Sequence, residues 1–497
     1  MKLIRFALGF AFGTLLSRVL GFLRDAGIAY YFGATSVSDA FFIAFRIPNS
    51  FRRLLGEGGF NAAFVPLYTR SLEEGREREF LGRVFSLYLI ANGVLTFTGI
   101  LLSDLIVTLL APGLRGTETF SLAVFMARFL FLYLLLVGLS AFFMGVLNVR
   151  GRFFVPAASQ AVFNAVFLMV LMLLADSFGY GALIAGVLVG GICQVAVNVP
   201  PLIGSGVRFS LSLGFDERVK LLLKRLVPAL GGFGVNQLSF LIDTVLASFL
   251  RTGAISYLYY ANRLYQLPFG VVSVGVANSL LSVLSRSDAN RGSEVTTAFR
   301  LIVLLTLPAS TGLFLLSGEI VEVIYRRGSF LGTDAEVTAK VLSLYSLGLL
   351  PYSLQKVLSA EFFSRGDTAT PVKVSLATVL SEGVLGASLA FAAGLGIYGL
   401  PLGTALSSLV GLGLLLSRSR VRISLRELGD TTLRSLLATL PMGGVVLLAR
   451  DILQAPLPAV LVSIPLAVLT YLVCLGVFRE PLTLSLLQSL VEKLRNP

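Results

Sequence analysis

The chain contains no histidine and no tryptophan, and only two cysteines in 497 residues. Without histidine there is no imidazole metal site, no histidine proton relay and no Ser–His nucleophile. Cys193 and Cys474 lie in different apolar runs, so no disulfide framework is expected. Any aromatic belt at a membrane interface must be built from tyrosine. Charge is scarce too: 13% of residues are charged, against roughly 25% in soluble proteins. No GxxxxGK[ST] stretch occurs, which excludes P-loop nucleotide hydrolysis in this chain, and no HExxH or cysteine cluster suggests a metal centre.

What remains is apolar. Hydrophobic residues make up 56% of the chain, and its mean hydropathy is +0.86. Apolar runs of roughly 18–25 residues recur from end to end. They do not alternate every second residue as barrel strands do. The reading is an all-α polytopic membrane protein with about fourteen transmembrane helices. The expected spans are 5–32, 39–66, 80–111, 120–147, 154–175, 180–203, 218–250, 255–285, 297–325, 337–363, 370–393, 397–417, 433–450 and 457–478. The opening MKLIRFALGFAFGTLLSRVLGFLRD has the composition of a signal peptide. Its apolar pattern runs on to Phe32 without a small-residue cleavage site, so it is expected to be a retained helix.

The net charge is +13, and the basic residues cluster. They collect in loops 69–83, 149–152, 217–225, 285–291, 364–367 and 417–426. Loops 33–39, 175–181 and 392–399 hold few, with Arg326 and Arg327 an exception on that side. The positive-inside rule then puts both termini in the cytoplasm.

The chain also repeats itself. VRGRFFVP (149–156) matches SRGDTATP (364–371), with Arg150, Gly151 and Pro156 returning as Arg365, Gly366 and Pro371. Arg46 and Asn61 return as Arg263 and Asn278, and GYGALIAG (179–186) echoes GIYGLPLG (396–403). Asp25 aligns with Asp243 to within a residue or two. A repeat of six spans keeps its orientation, so the two lobes are parallel repeats. The expected division is an N-lobe at 1–210 (spans 1–6), a C-lobe at 211–425 (spans 7–12), and spans 13–14 with a cytoplasmic tail at 426–497.

Several spans carry charge. Arg18, Arg24 and Asp25 lie in span 1; Asp39, Arg46, Arg52, Arg53 and Glu57 in span 2; Arg263 in span 8. An arginine facing lipid costs about 2.5–3.5 kcal/mol, so five would cost on the order of 12–18 kcal/mol. They are expected to face a hydrated central cavity or a carboxylate. Arginines outnumber acids, and a cationic cavity calls for an anion. The planar guanidinium binds phosphate oxygens bidentately and stays charged, which suits a diphosphate. Arg18, Arg24, Arg52 and Arg263 are the expected ligands, while Arg46, Arg53 and Arg128 read better as helix-tying residues. Asp25 and Asp39 read as gates rather than bases. GEGGFN (56–61) offers a hinge at Gly58 and Gly59, or alternatively an anion-binding nest. Asp243 in span 7 and Glu382 in span 11, with Thr378 and Thr404, offer oxygen ligands for Na+, or a carboxylate for H+. The bland alternative pairs each acid with a basic side chain.

The stretch SRVLGFLRDAGIAYYFGATSVSDAFFIAFRIPNSFRRLLGEGGFNAAFVPLYTR (17–70) closely resembles the N-terminal signature of the MurJ/MviN family of lipid II flippases. That family belongs to the multidrug/oligosaccharidyl-lipid/polysaccharide exporter superfamily, and the resemblance extends over the whole chain. It implies transport, not catalysis: a flippase carrying undecaprenyl-diphosphate-linked muropeptide from the inner to the outer leaflet of the bacterial cytoplasmic membrane. Alternating access driven by membrane potential or a cation gradient is the implied mechanism. The resemblance implies cavity arginines at Arg18, Arg24, Arg52 and Arg263, a gate acid at Asp25, a sensitive acid at Asp39 and a span-5 asparagine at Asn164. It implies a lipid-tail groove formed by spans 13–14 with the second lobe. A family sodium site maps to Asp243, Thr378, Glu382 and Thr404, with Glu382 standing where aspartate is expected. The implied partners are lipid II and membrane lipids, with no nucleic acid, and the implied state is a monomer. A flippase for another polyprenyl-diphosphate glycan has the same physics. A multidrug exporter of the superfamily would place acids centrally, and a membrane glycosyltransferase would need a catalytic constellation that is missing here.

Overall fold

The computed structural model describes residues 2–56, 59–207, 209–286, 290–485 and 488, with side chains at all of these except 2–12, 14, 53–56, 59, 62 and 227–237. Among the described residues every regular element is helical. In a bilayer this is forced: backbone N–H and C=O groups find no water, and a helix satisfies them within one segment.

The chain forms two compact units. The first comprises Met1–Ser256 with the loop Arg327–Phe330, and the second Tyr257–Arg326 with Leu331–Pro497. Helices of the first are α1 Lys2–Phe32, α2 Ser36–Gly56, α3 Gly59–Glu73, α4 Glu77–Leu101, α5 Ser103–Leu110, α6 Glu118–Leu130, α7 Leu132–Val149, α8 Phe154–Phe178, α9 Gly181–Ala196, α10 Val199–Ile203 and α11 Glu217–Ala247. The rest are α12 Ala254–Pro268, α13 Val274–Leu284, α14 Arg291–Leu315, α15 Ser317–Tyr325, α16 Gly332–Leu347, α17 Leu349–Ser364, α18 Ala369–Ala387, α19 Gly399–Arg418, α20 Leu425–Leu453 and α21 Pro456–Val477.

The repeat is visible in these bounds. Helices α1 and α11 are both 31 residues long, and α4 and α14 both 25. The short α5 answers to α15, the pair α6–α7 to α16–α17, and the pair α8–α9 to α18–α19. Packing repeats as well: α8 lies on α9 and α7 on α9, as α18 lies on α19 and α17 on α19. Helix α11 begins the second repeat in sequence, yet packs within the first unit, against α3.

Ten helical stretches among the described residues are long and apolar enough to cross a membrane. They are expected spans 3–6, 8, 9 and 11–14. The other four are helical too: α1, α2–α3, α11 and α16–α17. Charges at Asp39, Arg46, Arg52 and Arg53 lower the hydropathy of α2, and Asp334, Glu336, Lys340, Lys356 and Glu361 do the same for α16–α17. A π-helical turn at Phe269–Ser273 separates α12 from α13.

Both units have dry cores. In the first, Phe60, Phe64, Phe80 and Phe142 are fully buried, and the Phe60 and Phe64 rings stack at 5.0 Å. In the second, Val295, Ile302, Val357, Leu358 and Leu415 are fully buried. The hairpin α20–α21 packs on α14, and the Tyr471 hydroxyl donates to the Leu304 carbonyl at 2.9 Å. Arg300 of α14 fastens the same hairpin. Its Nε donates to Thr431 (2.8 Å), Nη1 to Glu427 (3.2 Å) and Nη2 to the buried Glu480 (3.1 Å), just beyond α21. Segment 209–216 is strapped across α4. There Ser212 N–H donates to Ser86 (3.0 Å), and Arg83 pairs with Asp216 at 2.7 Å. Asp216 in turn caps α11 by accepting from Val219 N–H at 2.8 Å.

Candidate functional site

The charged cluster of the first unit is built on one face of α8. Helix α1 packs along α8, with glycine at two of the closest approaches. A Cβ on Gly13 would sit 3.0 Å from that of Ala157, and one on Gly27 would sit 2.8 Å from Leu168. Fourteen residues apart, these glycines lie nearly on the same helix face. This close seam brings Arg24 and Asp25 against α8.

Arg24 is 9% exposed and Asp25 fully buried. The Arg24 Nε and Nη2 both donate to Asp25 Oδ1, at 3.0 and 2.6 Å. Its Nη1 donates to Asn164 Oδ1 at 3.1 Å, and Asn164 Nδ2 donates to the Ser17 carbonyl at 3.0 Å. The guanidinium lies 5.5 Å from the centre of the Phe167 ring. Arg24 is thus held by a carboxylate, an amide and an aromatic face. A buried ion pair of this kind contributes little net stability, but removing one partner strands the other charge.

Arg52, half-buried on α2, is oriented by amides. Its Nε donates to Asn49 Oδ1 at 3.0 Å, one turn back on the same helix, and its Nη1 reaches Gln160 Oε1 at 3.4 Å. Gln160 stands four residues before Asn164, so one face of α8 presents an amide to each arginine. Gln194 Nε2 donates to the same Gln160 oxygen at 3.3 Å, and Tyr133 donates to Gln194 Oε1 at 3.3 Å. Gln160, Gln194, Tyr133 and Asn49 were absent from the sequence-based site. The available signal was the four-residue spacing of Gln160 from Asn164.

The other expected residues fall elsewhere. Arg18 is exposed on α1. Asp39 is 3% exposed and accepts from Gly253 N–H (2.6 Å), Ser256 N–H (2.9 Å) and the Ser256 hydroxyl (2.6 Å). It therefore caps the start of α12, where unsatisfied N–H groups favour an anion. Arg46 donates to Thr244 at 2.8 Å and lies 5.9 Å from the Phe240 ring, tying α2 to α11. Gly59 opens α3. Gly58 and Glu57 lie outside the described residues, as does the Arg53 side chain. Arg263 is half-buried on α12.

Of the four residues expected at a cation site, Thr404 and Glu382 meet directly: the Thr404 hydroxyl donates to the buried Glu382 Oε1 at 2.9 Å. Thr378 accepts from Gln355 Nε2 at 3.4 Å, and Gly411 leaves room for both side chains. Asp243 is 8% exposed on α11 in the other unit. Among the described residues no three Cys, Asp or Glu side chains gather to hold a metal.

The sequence model described as "Lipid II flippase MurJ" matches residues 28–467. A probable lipid II flippase MurJ from Aquifex aeolicus is 41% identical over 484 residues, covering 97% of this chain and 96% of the relative. A namesake from Vibrio cholerae is 34% identical, covering 81% and 80%. Among solved structures, "Lipid II flippase MurJ, inward closed conformation" matches with a TM-score of 0.82 at 28% identity, covering 94% of this chain and 98% of that one. An inward-facing multidrug resistance transporter of the MATE family of the MOP superfamily matches with a TM-score of 0.67 at 15% identity, covering 81% and 94%, which shows a shared fold. The chain belongs to the MurJ family of lipid II flippases, multi-pass membrane transporters rather than enzymes.

Proposed function

We propose that this chain moves lipid II from the inner to the outer leaflet of the bacterial cytoplasmic membrane, as a monomer with both termini in the cytoplasm. The diphosphate is held by Arg24 and Arg52, with Arg18 steering, and Arg263 of the second repeat is a further ligand expected from the sequence. The polyprenyl tail stays in lipid while the head is exposed alternately to the two sides. The observation that carries this reading is the convergence of Arg24 and Arg52 on one face of α8, each held by an amide, within a helical unit of membrane-spanning length. Keeping two guanidinium groups inside such a unit is costly unless an anion uses them.

Asp25 occupies Arg24 when no substrate is present, and a diphosphate oxygen displaces it. Charge-assisted bonds of both kinds are strong, so the exchange is nearly balanced and reversible. An inside-negative potential favours outward movement of the anion, by about 2.3 kcal/mol per charge per 100 mV. A returning cation supplies work of the same sign. Glu382 and Thr404 offer the hard oxygen ligands that Na+ takes, and a carboxylate there also suits H+.

The test is leaflet accessibility of labelled lipid II in proteoliposomes, with and without a sodium gradient and an imposed potential. Flipping that requires the protein is expected, together with failure of Arg24→Ala and Arg263→Ala to complement a flippase-deficient strain while still reaching the membrane. Normal growth with both substitutions rejects the arginine assignment.

A further inference from the structure

The connection into α11 crosses α4 as an uncharged strap, FSLSLGF (209–215), in a part of the chain otherwise rich in basic residues. One side of the strap is fastened. The Phe209 ring packs against those of Phe85 and Phe143, at 4.9 and 5.5 Å between centres. The Ser212 N–H donates to the Ser86 hydroxyl at 3.0 Å. Gly82 permits the close approach: a Cβ there would sit 2.5 Å from Ser210 Oγ and 2.8 Å from Ser212 Oγ. A Cβ on Gly214 would sit 2.9 Å from Arg83 Nε. Asp216 closes the strap by pairing with Arg83 and capping α11.

These contacts turn alternate residues outward, as in any extended segment held on one side. Leu211, Leu213 and Phe215 are 75%, 73% and 63% exposed, while Ser212, Gly214 and Asp216 between them are half-buried. A loose loop would fold three such side chains inward, but this one is pinned. A contiguous apolar face held open in this way marks an interaction surface.

The depth of the strap identifies its partner. Ile90 and Val94 of α4 are exposed and belong to a helix long and apolar enough to cross a membrane. Ser86 precedes Ile90 by four residues, about 6 Å along the helix. Glu77, Arg78 and Glu79 lie on the other side of Gly82. The strap therefore crosses α4 where lipid gives way to water. Lys220 and Lys224 follow it, exposed and one turn apart on α11. Apolar side chains beside exposed cations complement an anionic leaflet.

We propose that the strap is an interfacial anchor: Leu211, Leu213 and Phe215 enter the boundary between headgroups and acyl chains, and Lys220 and Lys224 take anionic phospholipid headgroups. The anchor fixes the depth of the link between the two repeats at the charged end of α4. It uses none of the groups assigned to the diphosphate, so its test is independent of that assignment.

The lack of tryptophan makes the experiment simple. Leu213→Trp places a single indole in the full chain, which is reconstituted into vesicles of phosphatidylcholine and phosphatidylglycerol. Phospholipids brominated high in the acyl chain are expected to quench most of its emission. Aqueous acrylamide is expected to quench it several-fold less than it quenches Glu73→Trp, at the exposed end of α3. Moving the bromine from phosphatidylcholine to phosphatidylglycerol, at equal content, is expected to raise quenching about twofold, and Lys220→Gln with Lys224→Gln to remove that preference. Leu211→Trp replaces Leu213→Trp if the latter does not purify as a folded protein. Free access of acrylamide without quenching by lipid overturns the anchor. An indole shielded from both quenchers overturns it too, and assigns the face to a second copy of the chain. Equal quenching by the two brominated lipids, or a preference that survives both lysine substitutions, overturns the headgroup contacts.

Discussion

Helices α8–α9 and α18–α19 occupy the same place in the two repeats and carry opposite chemistry. On α8 the inward pair is Gln160 and Asn164, two amides four residues apart that present arginines. On α18 the pair is Thr378 and Glu382, again four apart, a hydroxyl and a buried carboxylate. The partners on the neighbouring helix differ in step. Gln194 of α9 reaches Gln160, whereas α19 supplies Thr404 to Glu382 and leaves a gap at Gly411 beside Thr378. One backbone plan thus bears an amide pair that meets two arginines in one copy and a hydroxyl–carboxylate pair in the other.

Breaking the arginine-bearing face gives the largest effect. Arg24→Ala is expected to abolish flipping and to destabilise the protein by about 3–5 kcal/mol, because it strands the buried Asp25 carboxylate. Adding Asp25→Asn separates the two roles: the thermal midpoint recovers in the double variant while transport does not. Recovery of transport along with stability sinks the ligand role of Arg24.

Next in size is the hydroxyl–carboxylate pair of α18 and α19. Glu382→Gln keeps the hydrogen bond from Thr404 and removes the charge. Stimulation of flipping by a sodium or proton gradient is expected to vanish, while binding of lipid II is retained. A gradient response equal to the parent's removes Glu382 from the coupling. The gap at Gly411 sharpens the same contrast. A methyl there would lie 2.3 Å from Thr378 Oγ1 and 2.7 Å from Gln355 Nε2, so Gly411→Ala is expected to cost about 1–3 kcal/mol, read from thermal unfolding.

Much of the architecture was legible in the chain, because hydropathy and the RG…P motif report burial in lipid and repeat length directly. The 215-residue offset between Arg150 and Arg365 matches the offset between the ends of α1 and α11, Phe32 and Ala247. The expected spans 39–66 and 337–363 are helical as well, although internal charges lower the hydropathy of α2 and α16–α17. The site was legible in part. Arg24, Asp25 and Asn164 do meet, but Asp39 spends its hydrogen bonds on the first turn of α12, a partner 214 to 217 residues away that no local spacing reveals. Gln160 escaped notice because a glutamine in an apolar helix has no signature until its neighbours on α2 and α9 are known.

The smallest effect expected lies outside the spans, at Asp216. Burial pushes its carboxyl up, but the Val219 N–H and the Arg83 guanidinium outweigh burial and hold it below the ordinary aspartate range. A group with a lowered folded value stabilises fully above its unfolded value and loses that contribution as pH falls through the folded one. Acid unfolding of the parent is therefore expected to include a small loss below about pH 4, absent in Asp216→Asn and worth under about 1 kcal/mol for so accessible a pair. Identical acid profiles refute it.

The three-pronged grip of Arg300 on Thr431, Glu427 and Glu480 has a practical corollary for anyone handling this molecule. Clipping the chain just after Val477, where the last span ends, discards the glutamate and leaves a guanidinium without its buried mate. Reporters and affinity handles belong downstream of Thr483, whose amide steadies that glutamate, and shortened versions that stop earlier should come out of detergent poorly.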